Sequence, residues 1–166
     1  DRTSRGLGDV YKRQPINFFD DEIAKTGHEK RDEPLGIGMM FLPRNDYAAL
    51  EKCRTIIESE LLDHGYYIYG WRQVPINNSV IGEKANSTRP EIEQVMFVNN
   101  IERESNFDYS KELYLVRRRL EKRIAKQQIN GFYVCSLSFE SIIYKGLFLA
   151  EQLSICLLYT SDAADD

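Results

Sequence analysis

The chain has 166 residues, 42% of them hydrophobic, with 22 basic against 26 acidic side chains and a formal net charge of −4. That length suits about one domain with its own core, and a mildly acidic balance argues for no particular polyanion partner. No apolar run is long enough to cross a bilayer, and the abundance of Tyr, Phe, Ile and Leu excludes a disordered chain.

DVYKRQ, Asp9 to Gln14, can be written in codons as GAT GTG TAT AAG AGA CAG. The reverse complement of that string, read one base in, encodes Cys-Leu-Leu-Tyr-Thr-Ser, which is the sequence of Cys156 to Ser161. The two ends are thus opposite strands of one DNA segment, and such an inverted repeat resembles a translated transposon-end sequencing adaptor. Residues 1–14 and 156–166 are expected to be adaptor scars, and 15–155 an internal fragment of a longer protein. Cys156 then drops out, and Cys53 and Cys135 lack the spacing of a zinc site or a disulfide framework, which fits a reducing compartment.

FFDDEIAKTG (Phe18 to Gly27) reads as a short helix closed by glycine, and HEKRDEP as a charged loop ended by Pro34. LGIGMMFLP, Leu35 to Pro43, reads as a buried strand. Gly36 and Gly38 share a face of it, where another layer is expected to approach closely; a phosphate-cradling GxG would need a strand-to-helix turn instead. RNDYAALEKCRTIIESELLDHG places Tyr47, Leu50, Cys53, Ile57 and Leu61 on one helical stripe, capped by Asn45 or Asp46 and closed by Gly65. Cys53 is expected in the core. His64 falls in the last turn with no carboxylate expected near it in sequence, so it reads as a helix-end cation.

YYIYGWRQVP (Tyr66 to Pro75) is strand-like, Ile76 to Pro90 a turn-rich connection, and IEQVMFV (Ile92 to Val98) another strand. Tyr109, Leu113, Val116, Leu120 and Ile124 form a helical seam with Asp108 or Ser110 as cap, and Arg117 to Arg123 read as a solvated basic face without the interleaved aromatics of nucleic-acid binding. FYVCSLSFESIIYKG, Phe132 to Gly146, reads as a hairpin turning near Phe139 and Glu140, with Tyr133, Cys135 and Leu137 on one face. The order makes an α+β fold with helices layered on a mainly antiparallel sheet. No nucleophile–base pair, convergent carboxylate pair or metal spacing is present, so the residues alone leave a stand-alone ligand-binding or regulatory module open.

The ordered series GIGMMFLP, GWRQVP, IEQVMFV, ELYLVRRRLEKR, FYVCSLSFESIIYKGL and LAEQL resembles the amino-terminal glutaminase domain of glutamate synthase large subunits, over nearly all of 15–155. The resemblance implies a type-2 glutamine amidotransferase on an amino-terminal-nucleophile (Ntn) hydrolase fold, four αββα layers with two antiparallel sheets between helices. It implies an amino-terminal cysteine that attacks the glutamine amide with its own amine as base, lying upstream of Pro15. The family's other catalytic residues likewise fall outside 15–155, so no catalytic, cofactor-binding or metal residue is carried over. For the parent it implies FMN, an iron–sulfur cluster, glutamine as substrate, the other domains of the large subunit and a small NAD(P)H-oxidising subunit as partners, and a cytoplasmic or plastid-stroma location, with no nucleic acid and no membrane. The fragment itself is expected to be inactive and, cut from companion sheets, to expose strand edges and the apolar face of FYVCSLS.

Overall fold

A computed structural model describes residues 7–13 and 16–147; the LAEQL block and residues 156–166 lie outside the described residues. The elements are β1 (Leu7–Arg13), α1 (Ile16–Lys25), β2 (Leu35–Leu42), α2 (Tyr47–Asp63), β3 (Tyr66–Gln73), α3 (Glu83–Thr88), β4 (Glu91–Asn99), α4 (Tyr109–Lys126), β5 (Tyr133–Ser138) and β6 (Ser141–Leu147). β3, β4, β2 and β5 form a four-stranded antiparallel sheet in that order, while β1 and β6 form a separate antiparallel pair.

The main sheet is covered on both faces. Leu50, Cys53, Ile57 and Leu61 of α2 and the Leu113, Val116, Leu120 and Ile124 seam of α4 pack on one face, against Met40, Leu42, Val95 and Phe97. Phe19 and Ile23 of α1, four residues apart and so on one helical stripe, cover the other face together with Ile142 and Tyr144 of β6. A central strand buried on both faces should be apolar without alternation, and every residue of β4 from Ile92 to Val98 except Glu93 and Gln94 is apolar. The α+β arrangement of helices on antiparallel sheets is therefore the observed one, in the layer order α2 and α4, main sheet, then α1 with the β1–β6 pair.

The caps follow from local chemistry. Asp46 accepts a hydrogen bond from the Ala49 N–H (2.9 Å) and Asp108 one from the Lys111 N–H (3.0 Å), each satisfying an orphan donor of the first turn. Gly65 follows α2 with φ +79, a conformation that glycine takes without penalty.

Five expectations are corrected. Tyr47, the first residue of α2, is 74% exposed, and the buried stripe begins only at Leu50. The space above Gly36 and Gly38 is filled not by another layer but by cross-strand neighbours: an added Cβ would meet the Phe97 ring at Gly36 and the Val95 and Leu137 side chains at Gly38. The 76–90 connection contains a 3-10 turn (Asn78–Val80) and α3. β5 and β6 are not a laddered hairpin, since they belong to different sheets. Finally, the face of FYVCSLS is not open: Val134 and Cys135 are both buried, on opposite faces, and a bulge at Cys135 places Leu137 with Val134 rather than with Cys135. A second bulge, at Tyr69 beside Gly70 (φ +145), likewise sends Ile68 and Trp71 to the helical face and Tyr69 to the other. β1 lies in the stretch read as adaptor; the hydrogen bonds of a ladder are made by main-chain groups, so an extended segment within reach can pair with an open edge.

Candidate functional site

The two thiols stand on opposite faces of the main sheet. Cys53 is fully buried in the helical core, and burial pushes its pKa up to about 11. A thiol so held is a small core hydrophobe, not a nucleophile. Cys135 is buried on the α1 side and its Sγ donates to the Ile143 carbonyl (3.0 Å). Among the described residues no imidazole serves either: His28 Nδ1 is 2.8 Å from the Tyr67 hydroxyl, and His64 Nδ1 is 2.6 Å from Glu112 Oε1. Nor, among those residues, is any cluster of His, Cys, Asp or Glu arranged to hold a metal ion, and thiols separated by a sheet do not fit an iron–sulfur cluster.

His64 departs from expectation, because Glu60, one helical turn back, lies 3.4 Å from its Nε2 while Glu112 of α4 takes Nδ1. The basic run is correspondingly more than a solvated face. Arg123 donates to buried Glu60 at 2.8 Å, Arg119 lies 3.8 Å from the same carboxylate, and Arg117 and Arg118 pair with Glu121 at 2.9 and 3.1 Å. Glu60 is 4% exposed, and a carboxylate removed from water needs such cations around it.

The GWRQVP segment does the most cross-linking. Trp71 Nε1 donates to Glu58 Oε1 of α2 at 2.6 Å, and the Arg54 guanidinium lies 5.6 Å from the Trp71 ring. Arg54 in turn forks onto buried Glu93 (2.7 and 2.5 Å), and this bond holds its pKa above the usual arginine value. On the opposite face Arg72 pairs with Glu22 of α1 (3.2 Å), donates to Gln94 Oε1 (2.9 Å) and stacks over Phe18; Gln94, fully buried, donates to the Tyr144 hydroxyl (3.2 Å). One dipeptide, Trp71-Arg72, thereby fastens α2 above the sheet and α1 and β6 below it. Sequence reasoning identified the segment but not this role; the available signal was a charged residue standing beside tryptophan in an otherwise apolar strand.

A cavity of about 470 Å³ opens at the start of α4, lined by Asn99, Tyr109, Ser110, Phe139 and Glu140 among others. Two of its polar groups are already used: Asn99 is bonded to Arg103 and the Ile101 carbonyl, and the Ser138 hydroxyl accepts from the Glu140 and Ser141 N–H groups. The described residues therefore form a doubly covered, heavily cross-braced sheet without a reacting constellation.

Comparison with known proteins places this scaffold. The family described as class-II glutamine amidotransferases matches residues 2–164. The chain belongs to that family, whose Ntn-hydrolase architecture agrees with the helices and antiparallel sheets seen here. It is 53% identical over 153 residues, 92% of its length, to the glutamate synthase [NADPH] large chain of Azospirillum brasilense. It is 39% identical over 143 residues (85%) to the chloroplastic ferredoxin-dependent glutamate synthase of Spinacia oleracea, and 36% over 124 residues (74%) to ferredoxin-dependent glutamate synthase 1 of Arabidopsis thaliana. The chain spans about a tenth of the length of these relatives: 10%, 9% and 8% respectively.

Proposed function

We propose that residues 15–155 are a supporting part of the glutaminase domain of a glutamate synthase, with adaptor-derived residues at either end. The carrying observation is the 53% identity to a glutamate synthase large chain in a segment whose two described thiols are both buried. In the parent, an amino-terminal cysteine upstream of Pro15 attacks the side-chain amide of glutamine, its own α-amino group taking the proton, which is possible only at a true chain start. Ammonia so released serves reductive amination of 2-oxoglutarate in another domain of the large subunit, where FMN and the iron–sulfur cluster reside. Relatives named for NADPH and for ferredoxin match the same segment, so the choice of electron donor, and any small NAD(P)H-oxidising subunit, belongs to other parts of the parent. The cytoplasm, or a plastid stroma, is the compartment this reading requires.

What the present chain contributes is rigidity. Trp71, Arg72, Arg54 and Arg123 bind helices to both faces of one sheet, fixing the platform on which catalytic strands from elsewhere in the parent stand. The family match runs across both junctions, so support for the adaptor reading comes from the complementary codons of DVYKRQ and CLLYTS alone. The test is an ammonia-release assay on the purified chain beside the gene recovered from an uninterrupted genomic read. No turnover of glutamine by the chain, turnover by the recovered protein, and an amino-terminal cysteine in its mature sequence are expected. Glutaminase activity in the present chain would overturn the proposal.

A further inference from the structure

We infer that the outer edge of β6 is a seat for an antiparallel strand, and that its occupant in the parent is the segment immediately ahead of Pro15. The inference rests on the adaptor reading proposed above. In a strand, successive residues turn their N–H and C=O groups to opposite edges. The inner edge of β6 is already satisfied by side chains: the Ile143 N–H donates to Ser136 Oγ (3.2 Å) and its carbonyl accepts from Cys135 Sγ (3.0 Å). The main-chain groups of Ile142 and Tyr144 therefore face outward, while their side chains, 1% and 5% exposed, anchor β6 in the core. Such an edge is fixed in place and has unmet hydrogen bonds unless a strand lies along it.

β1 lies along it, with seven consecutive pairs from Leu7↔Leu147 to Arg13↔Ser141. An adaptor codes for no particular fold, so what recruits this peptide is the backbone of β6 and proximity. Proximity is set by α1: it begins at Ile16, with two residues between it and the end of β1, and is held by Phe19 and Ile23 in the core. Whatever residues precede Pro15 in the parent emerge at the same place, beside β6. The register further specifies them. Residues directly opposite share a sheet face, so the positions facing Ile142 and Tyr144 belong to the core side, where the parent should carry apolar residues. The adaptor supplies Lys12 opposite Ile142.

Amide hydrogen exchange on the full chain, with β4 amides as the internal folding control, tests the seat. Shuffling residues 7–13 with positions 10 and 12 held fixed should change exchange at Ile142 and Tyr144 by less than about threefold, because the ladder itself is made by main-chain groups. Val10→Pro, which removes the donor paired with Tyr144, should accelerate it by about tenfold or more, and Lys12→Val should slow it. Unprotected β6 amides in the full chain, or protection that rises with protein concentration as a second copy takes the edge, would overturn the inference. An uninterrupted genomic read tests the occupant: apolar residues two and four positions ahead of Gln14, at the sites of Lys12 and Val10, support it. Polar residues or a proline there would refute it with the domain assignment intact, whereas a read that itself continues into DVYKRQ would remove the adaptor reading and the inference with it.

Discussion

Gly36→Ala probes the packing that the sequence left ambiguous. The new Cβ would sit 2.5 Å from Phe97 Cζ and 2.9 Å from Cδ2, with Cε2 nearer still. Phe97 has nowhere to retreat, being fully buried with its ring 5.3 Å, centroid to centroid, from both Tyr66 and Phe139. Overpacking of this kind costs about 1–3 kcal/mol, while the loss of glycine's unfolded-state freedom returns about 0.4–1 kcal/mol. The net is about 1–2 kcal/mol, or a melting temperature lower by about 2–8 °C for a chain of this size. Thermal unfolding of a double-mutant cycle isolates the clash: in a Phe97→Leu background, where the ring edge is gone, Gly36→Ala should be neutral or stabilising, a coupling of about 1–2 kcal/mol. An equal penalty in both backgrounds, or none in either, would refute the assignment of Phe97 as the group that fills the glycine's place.

Other outcomes derive from buried groups. The Tyr66 hydroxyl is buried without a hydrogen-bond partner among the described residues, so Tyr66→Phe should stabilise the chain by about 1 kcal/mol in urea titrations near neutral pH. Burial raises the pKa of Cys53 from 9.0 to about 11 and that of Tyr66 from 10.0 to about 12. The folded chain thus keeps protons that the unfolded chain gives up: stability is intact below pH 9 and falls as pH climbs through 11 and 12, and Tyr66→Phe should remove the upper part of that fall when unfolding is followed across alkaline pH. Cys53 should resist alkylation at about pH 8 until denaturant is added, as mass spectrometry of native and unfolded samples would show. Arg123→Ala, which leaves Glu60 short of its nearest cation, should cost about 1–3 kcal/mol, against less than about 0.5 kcal/mol for Arg118→Ala, whose exposed pair with Glu121 is screened by water.

Helices announced themselves because periodicity and caps are local. Leu50, Cys53, Ile57 and Leu61 were readable as one stripe from spacing alone, as was the α4 seam, and Asp46 and Asp108 cap where their side chains can reach the third amide onward. The two bulges were not readable, since an extra residue at Tyr69 or Cys135 leaves composition unchanged and only re-aims the side chains beyond it; Leu137 changed faces for that reason. The separation of β5 from β6 depends on Ser136 and Cys135 side chains taking the place of a ladder, a substitution that alternation cannot signal. No reacting constellation was legible in the sequence, and the described residues form none: Cys53 and Cys135 are buried on opposite faces of the main sheet.

The basic helix illustrates how a motif can be correctly identified and still be misread. RRRLEKR invites an external polyanion, and its weak point as such a site is that the nearest anions are internal. Glu60 sits on α2, more than fifty residues away in sequence, and its burial makes it dependent on Arg123, Arg119 and His64 converging from α4 and from its own helix end. The arginine spacing is set by that need: positions 119 and 123 are four apart and so face α2 together, while 117 and 118 turn back to Glu121 on the same helix. Removing the Glu60 carboxylate would free Arg123 and Arg119, whereas Arg117 and Arg118 would keep Glu121 as their partner.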